Sequence, residues 1–272
     1  SESTPPIGLA YLSSVAKKYG ATVVGVDASG MDLNKSFKIS KYNLQGNGLN
    51  LNEILEFVHP DTKLIGITSM FSHEWPYVRD CINETKARFP NATIVIGGEH
   101  ATALPEYNLR DCKGIDYIAL GEGEETWSEI ITKLKNNESI NDVLGLAYLK
   151  NEEFIKTKYR DRIKHIDKIP WPDWDTFRIE PYLDNAVSFG PGSGRNMPIM
   201  ASRGCPYECT FCSNPVMYGR RYYLRQIDDL IKQIKYYIDK YEITGLQFYD
   251  LTAIIKKDWV IEFCKALKQN NI

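Results

Sequence analysis

The sequence predicts an α/β protein in which a doubly wound, Rossmann-like domain is followed by the start of an α/β barrel of the TIM type. Three observations lead to this prediction. Short strands rich in β-branched residues alternate with helices through the first half of the chain. A stretch rich in Pro and Trp follows. After it begins a β–loop–α–β–α pattern, which is the repeat of an α/β barrel.

The first half contains the elements of a parallel sheet. Its apolar runs are rich in Val and Ile, as in strands that helices cover on both faces, and they predict strands at residues 21–27, 63–69, 93–98 and 115–120. Apolar residues at helical spacing predict helices at residues 8–19, 51–58, 76–89, 103–109 and 124–135. The polar residues 30–50 are predicted to form a long loop, and residues 144–149 with 153–156 a small hairpin.

Three segments are therefore expected: a Rossmann-like domain at residues 1–150, a Pro/Trp-rich linker at 151–195 and a barrel unit at 196–272. The linker should be ordered, because its aromatic side chains need surfaces to pack on. The barrel unit has strands at 198–202 and 245–249 and helices at 226–241 and 257–268. Two βα units cannot close a barrel, so we expect a barrel truncated at the C-terminus. Separately, we expect that the first domain lacks its first strand, before Pro5.

Composition and charge narrow the function. The 33 Lys and Arg residues and 35 Asp and Glu residues give a net charge of −2, whereas proteins that bind nucleic acid through bulk charge are usually basic. No nucleic-acid partner is expected. No apolar run reaches the ~18–20 residues that cross a bilayer, and the first residues lack the pattern of a signal peptide. We therefore expect no membrane span and a cytoplasmic location.

The strongest motif is a cysteine loop. Cys205, Cys209 and Cys212 have the spacing Cys-x3-Cys-x2-Cys, and thiolates are the ligands of iron–sulfur clusters. A cubane has four irons, so three cysteines leave one iron open to bind and activate a ligand. The loop also follows a predicted strand, where α/β barrels place their chemistry. Zinc is the alternative, but a zinc site usually has a fourth Cys or His nearby, and the nearest, His165 and Cys264, lie far along the chain.

With Phe211 just before its last cysteine, this loop resembles the signature of the radical S-adenosylmethionine (SAM) superfamily. The resemblance implies a [4Fe-4S] cluster on the three cysteines and SAM on the open iron. It also implies cleavage of SAM by one electron to a 5′-deoxyadenosyl radical. Phe211 and Asp250, which ends the second barrel strand, are the implied SAM-binding residues. Asp250 matches the family's position but not its usual motif, and capping of the next helix is the alternative role.

A second motif follows the strands of the first domain. The segment Ser69-x-Phe71 follows one predicted strand, and Gly97-Gly98-Glu99-His100 follows the next. Small residues at strand ends let a large, flat ligand approach the backbone. These segments resemble the cobalamin-binding pattern Ser-x-Leu … Gly-Gly. Gly121-Glu122-Gly123 follows a third strand and fits the same sheet edge.

The segment before the first helix bears on the cobalt ligand. The familiar cobalamin pattern has Asp-x-His-x-x-Gly there, with His on cobalt. In this chain Gly8 matches the glycine, but Pro5 stands where the His would be and has no lone pair to offer a metal. This departure resembles the branch of radical SAM enzymes that binds cobalamin. His100 is an alternative cobalt ligand, although lining the loop after its strand is the simpler role.

The two resemblances together cover nearly the whole chain. They imply a cobalamin-binding-domain-containing radical SAM enzyme, similar to class B methyltransferases, that uses a [4Fe-4S] cluster, SAM and cobalamin. The implied reaction is methyl transfer through methylcobalamin to an unactivated carbon or phosphorus of a small-molecule substrate. An external electron donor of flavodoxin or ferredoxin type would serve it. The alternatives are non-methylating radical chemistry such as ring formation, a first domain without cobalamin, and a non-catalytic module that binds zinc or a cluster.

Overall fold

The structure is a computed structural model that describes residues 3–187 and 194–272. Part of the predicted linker, residues 188–193, lies outside the described residues. The strands are β1 (Ser36–Ile39), β2 (Leu44–Asn47), β3 (Leu64–Thr68), β4 (Thr93–Gly97), β5 (Tyr117–Ala119), β6 (Leu146–Lys150), β7 (Glu153–Lys156), β8 (Asn196–Ile199), β9 (Ser202–Arg203), β10 (Tyr223–Leu224) and β11 (Gly245–Phe248). The helices are α1 (Ile7–Lys18), α2 (Ala28–Met31), α3 (Leu51–Leu55), α4 (Trp75–Arg88), α5 (Glu99–Ala103), α6 (Pro105–Asp111), α7 (Glu124–Lys135), α8 (Trp174–Phe177), α9 (Glu180–Asp184), α10 (Asn214–Met217), α11 (Ile227–Tyr241) and α12 (Lys257–Gln269).

The first domain is built on a sheet in the order β3-β4-β5-β6-β7. Its first three strands are parallel, as predicted, and the hairpin β6–β7 extends the sheet by antiparallel pairing, so that the sheet is mixed. Ile94, Val95 and Ile96 of β4 are almost fully buried, because helices cover both faces of a central parallel strand. The α/β fold class is therefore confirmed.

The prediction of a buried strand at residues 21–27 is wrong. These residues form no strand in the structure, and the Val24 side chain is exposed. The stretch runs against α8 instead, with Gly25 beside the side chains of Thr176 and Phe177. A β-branched segment forms a strand only when another strand pairs with it. In the described sheet β3 is the edge strand and pairs only with β4, so residues 21–27 do not pair with it.

The prediction of a long loop at residues 30–50 is also wrong. This stretch contains the antiparallel hairpin β1–β2, in which Phe37 pairs with Gly46. Asn43 takes the left-handed conformation at the turn, with φ of 52°. The hairpin lacks a fully buried face, so its sequence carries no apolar alternation by which it could be found.

The linker is ordered where the structure describes it. Trp174 and Phe177 of α8 and Tyr182 of α9 are buried in one core with Ala10 of α1 and Tyr237 of α11. The Trp174 indole N–H donates to the Tyr237 hydroxyl at 3.2 Å. The linker therefore packs on both the first domain and the unit that follows it.

The second unit contains two parallel strands with a helix between them and a helix after them. Strands β8 and β11 are parallel neighbours, α11 connects them and α12 follows. The two-residue strands β9 and β10 pair with each other at the two ends of the cysteine loop. Within the described residues these strands form no closed barrel.

Candidate functional site

The carboxyl ends of β3, β4 and β5 bring three predicted segments to one edge of the sheet. The backbone N–H of Ser69 donates to the carbonyl of Gly97 at 2.7 Å. The N–H of Gly121 donates to Thr102 Oγ1, on the helix that follows β4, at 3.2 Å. The three segments after the strands are thus joined, as the parallel topology requires.

Gly98 allows this edge to close. Its φ is +105°, and a Cβ there would lie 2.6 Å from the carbonyl oxygen of Ser69. Any side chain at Gly98 would force the segments after β3 and β4 apart. Gly97 has more space, since the atom nearest to the position that a Cβ would take there is the Ala119 carbonyl oxygen at 3.8 Å.

A buried polar group at this edge lacks a hydrogen-bond partner among the described residues. Ser69 is 1% exposed, and its hydroxyl is unpaired. His100 accepts or donates at Nδ1 with the Ser72 hydroxyl at 2.9 Å and packs its ring on Trp75. Burial lowers the pKa of His100 and outweighs a hydrogen bond with the Asn108 side chain, which raises it. An unpaired buried polar atom costs about 1–3 kcal/mol, so the Ser69 hydroxyl indicates a ligand that would pair with it.

The remaining residues predicted for this edge differ in their surroundings. Phe71 is half exposed and forms apolar surface near His73. Pro5 is buried before α1, and Gly8 is exposed with open space where a Cβ would be. Leu12 of α1 lies 3.3 Å from the position of a Cβ on Gly123, so α1 packs beside the segment after β5. A direct role of these residues in binding stays a prediction.

Glu122 follows β5 at the same sheet edge, where it is buried and paired, and its role in binding cobalamin stays a prediction. Its side chain is 5% exposed, and one carboxylate oxygen accepts from Arg162 Nε at 2.6 Å and from the N–H of Ile163 at 3.0 Å. Arg203 lies 3.4 Å from the other oxygen and also pairs with Glu124. Burial would raise the pKa of Glu124, but the charge and hydrogen bond of Arg203 outweigh it and lower that pKa.

Sequence reasoning did not predict either arginine. Two features of the sequence could have indicated the contact. Arg203 is separated only by Gly204 from the first cysteine of the loop, and two glutamates separated by one glycine follow β5.

The cysteine loop lies close to the same edge. Ser213, just after Cys212, donates its hydroxyl hydrogen to the carboxylate of Glu99 at the start of α5. Helix α10, which begins at the next residue, also contacts α5. The cysteine loop of the second unit therefore faces the segment after β4 in the first domain.

The backbone fixes both ends of the loop. Gly204 has φ of +87°, and a Cβ there would lie 2.1 Å from the Arg221 carbonyl oxygen, so only glycine fits. The Asn214 amide donates to the carbonyl oxygens of Cys205 at 3.3 Å and Gly219 at 3.0 Å. Between these points Cys205 is half-buried and Cys209 and Cys212 are exposed.

The three thiols form no disulfide, and Phe211 between them is 91% exposed. In the described parts of the chain no three His, Cys, Asp or Glu side chains converge closely enough to hold a single metal ion. In a cubane each thiolate binds a different iron, so its sulfurs surround the cluster instead of meeting at one point. The donor set, three free thiols on one anchored loop, fits such a cluster.

Asp250 lies at the end of β11, beside the start of the cysteine loop. Its carboxylate accepts from the N–H of Ala201 at 3.0 Å and from the hydroxyl of Ser202. Burial, partly opposed by these two hydrogen bonds, raises the pKa of Asp250. The carboxylate thus joins the end of β11 to the turn between β8 and β9. SAM binding by Asp250 and Phe211 stays a prediction.

The raised pKa of Asp250 makes a pH-dependent prediction. The folded chain holds this proton at a pH where the unfolded chain, with a pKa near 3.8, has lost it. The contribution of this carboxyl to the free energy of unfolding is therefore greatest below pH 3.8, and it is lost as the pH rises through the raised pKa. In urea unfolding, the free energy of unfolding of the natural chain minus that of Asp250→Asn should decrease across this window. A difference that increases with pH would contradict the burial argument.

None of the helices in residues 3–187 and 194–272 is both long and apolar enough to span a membrane.

Curated proteins resemble the chain along nearly its whole length. An uncharacterised methyltransferase of Pyrococcus horikoshii is 29% identical over 98% of this chain and 53% of its own length. Cytidylyl-2-hydroxyethylphosphonate methyltransferase of Streptomyces wedmorensis is 25% identical over 98% of this chain and 54% of its own. Anaerobic magnesium-protoporphyrin IX monomethyl ester cyclase of Cereibacter sphaeroides is 28% identical over 97% of this chain and 40% of its own. The chain thus spans about half the length of the curated relatives that it matches.

Solved structures and a family model agree with these relatives. The radical SAM methyltransferase TsrM of Kitasatospora setae matches 98% of this chain and 49% of its own with a TM-score of 0.70 at 16% identity. The cobalamin-dependent SAM radical enzyme OxsB matches 96% of this chain and 34% of its own with a TM-score of 0.75 at 18% identity. At these identities the two structures show the fold alone. A family model for the B12 binding domain matches residues 2–131. The resemblance that the motifs indicate is therefore confirmed: residues 2–131 match the family model of the B12 binding domain, and the chain shares its fold with the solved structures of TsrM and OxsB.

Proposed function

We propose that this chain provides the cofactor sites of a cobalamin-dependent radical SAM enzyme, one that transfers a methyl group to an unactivated carbon or phosphorus of a small molecule. The observation that carries the proposal is the closeness of two sites. The sheet edge with the unpaired Ser69 hydroxyl and the loop with three free thiols are joined by the hydrogen bond between Glu99 and Ser213.

The sheet edge has the features that a corrin needs. Gly97, Gly98, Gly121 and Gly123 keep the ends of the strands free of side chains, and the Ser69 hydroxyl would pair with a polar group of the ligand. Phe71 adds apolar surface at the rim. Pro5 in place of a ligating histidine means that this segment supplies no lower cobalt ligand.

The loop would hold the cluster through Cys205, Cys209 and Cys212, with Phe211 and Asp250 near SAM. When bound, the cluster and SAM supply a carbon-centred radical, and cobalamin carries the methyl group. The chain's own part is to position these groups: Gly204 and Asn214 fix the loop backbone, and Asp250 fixes the turn that leads into it. The exposure of Cys209 and Cys212 fits reduction by an external donor of flavodoxin or ferredoxin type.

The free cysteines and the net charge support the proposed location and partners. All six cysteines are free, which fits a reducing compartment such as the cytoplasm. The net charge of −2 fits a small-molecule substrate and no nucleic acid.

A second candidate function is radical chemistry without methylation. It is favoured by the similarity to the magnesium-protoporphyrin IX monomethyl ester cyclase, whose name describes ring formation. Methyl transfer is preferred here because two methyltransferases match 98% of the chain, one of them at 29% identity, whereas the cyclase matches 97% of it at 28% identity.

Cys209→Ala tests the cluster site. After anaerobic reconstitution with iron, sulfide and hydroxocobalamin, we expect this variant to lose cluster absorbance and reductive SAM cleavage, because one iron loses its thiolate. Corrin binding should be unchanged, since the sheet edge is untouched. Cys264→Ala, which removes an exposed thiol of α12, is the matched control and should behave as the natural chain. Retained SAM cleavage by Cys209→Ala would show that the cluster lies elsewhere.

Ser69→Ala tests the corrin site. Losing one hydrogen bond of about 0.5–1.5 kcal/mol should weaken cobalamin binding by roughly 2- to 10-fold, measured by spectrophotometric titration. The free energy of unfolding without cobalamin should not fall, because the hydroxyl has no partner in the described structure. Ser128→Ala is the control: Ser128 is a half-buried residue of α7 whose hydroxyl donates to the carbonyl oxygen of Glu125 at 2.8 Å. Equal cobalamin affinity in the two variants would show that Ser69 does not contact cobalamin. If the natural chain bound no cobalamin, the proposed ligand of the first domain would be wrong.

A further inference from the structure

We propose that Arg203 is a positioning residue for the cysteine loop: its guanidinium, shared between Glu122 and Glu124, holds the start of the loop against the sheet edge of the first domain. This inference rests on the proposed function, because it takes the loop as the site of a cluster.

Arg203 is placed where it can act on the loop. It ends β9, and Gly204 alone separates it from Cys205. Its side chain is 7% exposed and lies over the ring of Tyr11 in α1, at 5.3 Å from the ring centroid. The guanidinium thus holds a backbone position two residues before the first cysteine.

The partners of Arg203 belong to the other domain. Glu122 and Glu124 both follow β5, at the edge that carries the proposed corrin site, and their side chains are 5% and 9% exposed. One terminal nitrogen of Arg203 pairs with Glu124, and the other lies 3.4 Å from Glu122. The planar guanidinium thus spans two carboxylates that are two residues apart.

The other end of the loop is tied to the same carboxylates. Arg162 of the linker pairs with Glu122 through Nε, and its Nη1 donates to the carbonyl oxygens of Tyr218 and Arg221. These two carbonyls follow the cysteines, whereas Arg203 precedes them. Glu122 therefore connects to both ends of the loop.

Two explanations of this network make different predictions. If Arg203 only neutralises two buried carboxylates, a lysine would serve, since it carries the same charge. If Arg203 fixes the loop, a lysine would fail, because an ammonium is a point charge and cannot hold two carboxylates in the fixed geometry of a guanidinium.

The test is therefore Arg203→Lys, with Arg160→Lys as the matched control. Arg160 lies in the linker like Arg162, donates from Nε to Thr126 Oγ1 at 2.8 Å, and pairs with Glu129 of the same helix α7. It makes the same kind of contact with the first domain but none of these contacts reaches the cysteine loop.

The measurement is the rate at which a strong iron chelator removes iron from the reconstituted, oxygen-free chain. The electron paramagnetic resonance spectrum of the reduced cluster is recorded alongside it. Loss of a residue that orients metal ligands lowers metal affinity roughly 10- to 100-fold. Iron loss from Arg203→Lys should therefore be faster by about that factor, and the spectrum of the cluster should be altered. Corrin content should stay unchanged, and Arg160→Lys should match the natural chain.

The outcomes separate this inference from the proposed function. If Arg203→Lys holds iron as firmly as Arg160→Lys, the positioning role is wrong and the cluster site stands. If the natural chain takes up no iron and sulfide, both are wrong. Should Arg203→Lys not fold, Glu124→Gln replaces it, because Glu124 pairs with Arg203, whereas the pair of Arg162 with Glu122 then remains. Faster iron loss from Glu124→Gln supports the inference, and a rate equal to that of the natural chain overturns it.

Discussion

The buried contact of Arg203 with Glu122 and Glu124 joins the two halves of the molecule at the place where both proposed cofactor sites meet. Removing three charged groups from water is unfavourable, and the structure offsets it only while all three remain paired. If the cysteine loop moved away from the sheet edge, Arg203 would separate from Glu122 and Glu124 and leave buried charges unpaired. The geometry of the loop is thus coupled to the fold of the first domain.

The sheet edge itself depends on a few residues without side chains. Gly98 permits the close approach of the segments after β3 and β4, and Gly204 permits the close approach of Arg221 at the root of the loop. Around these tight points the chain leaves the Ser69 hydroxyl buried without a partner among the described residues. Native proteins rarely leave such a group unpaired, and its position at the end of a parallel strand is where α/β sheets bind ligands.

Much of this arrangement could be predicted from the sequence. The β-branched runs of β3 and β4, the glycines that follow the strands and the spacing of the three cysteines are local signals, and the topology then brings them together. The predicted strand at residues 21–27 does not form, because a strand needs a pairing partner and a local pattern does not show whether one is present. The hairpin β1–β2 was missed because it buries no face and so lacks apolar alternation.

The ion pairs between the domains could not be predicted for a different reason. Glu122 and Arg203 are about 80 residues apart in sequence, and nothing in either local pattern distinguishes a buried, paired charge from a solvated one. The same holds for Asp250, whose two hydrogen bonds to the turn before the loop appear only in the folded chain.

The central claim is that one chain holds a cluster and a corrin next to each other. It is tested most directly by electron paramagnetic resonance of the reconstituted chain, reduced so that both the cluster and cobalt(II) are paramagnetic. We predict a spectrum broadened or split by magnetic coupling, relative to the sum of spectra from samples that contain only one of the two cofactors. A spectrum equal to that sum would contradict the claim.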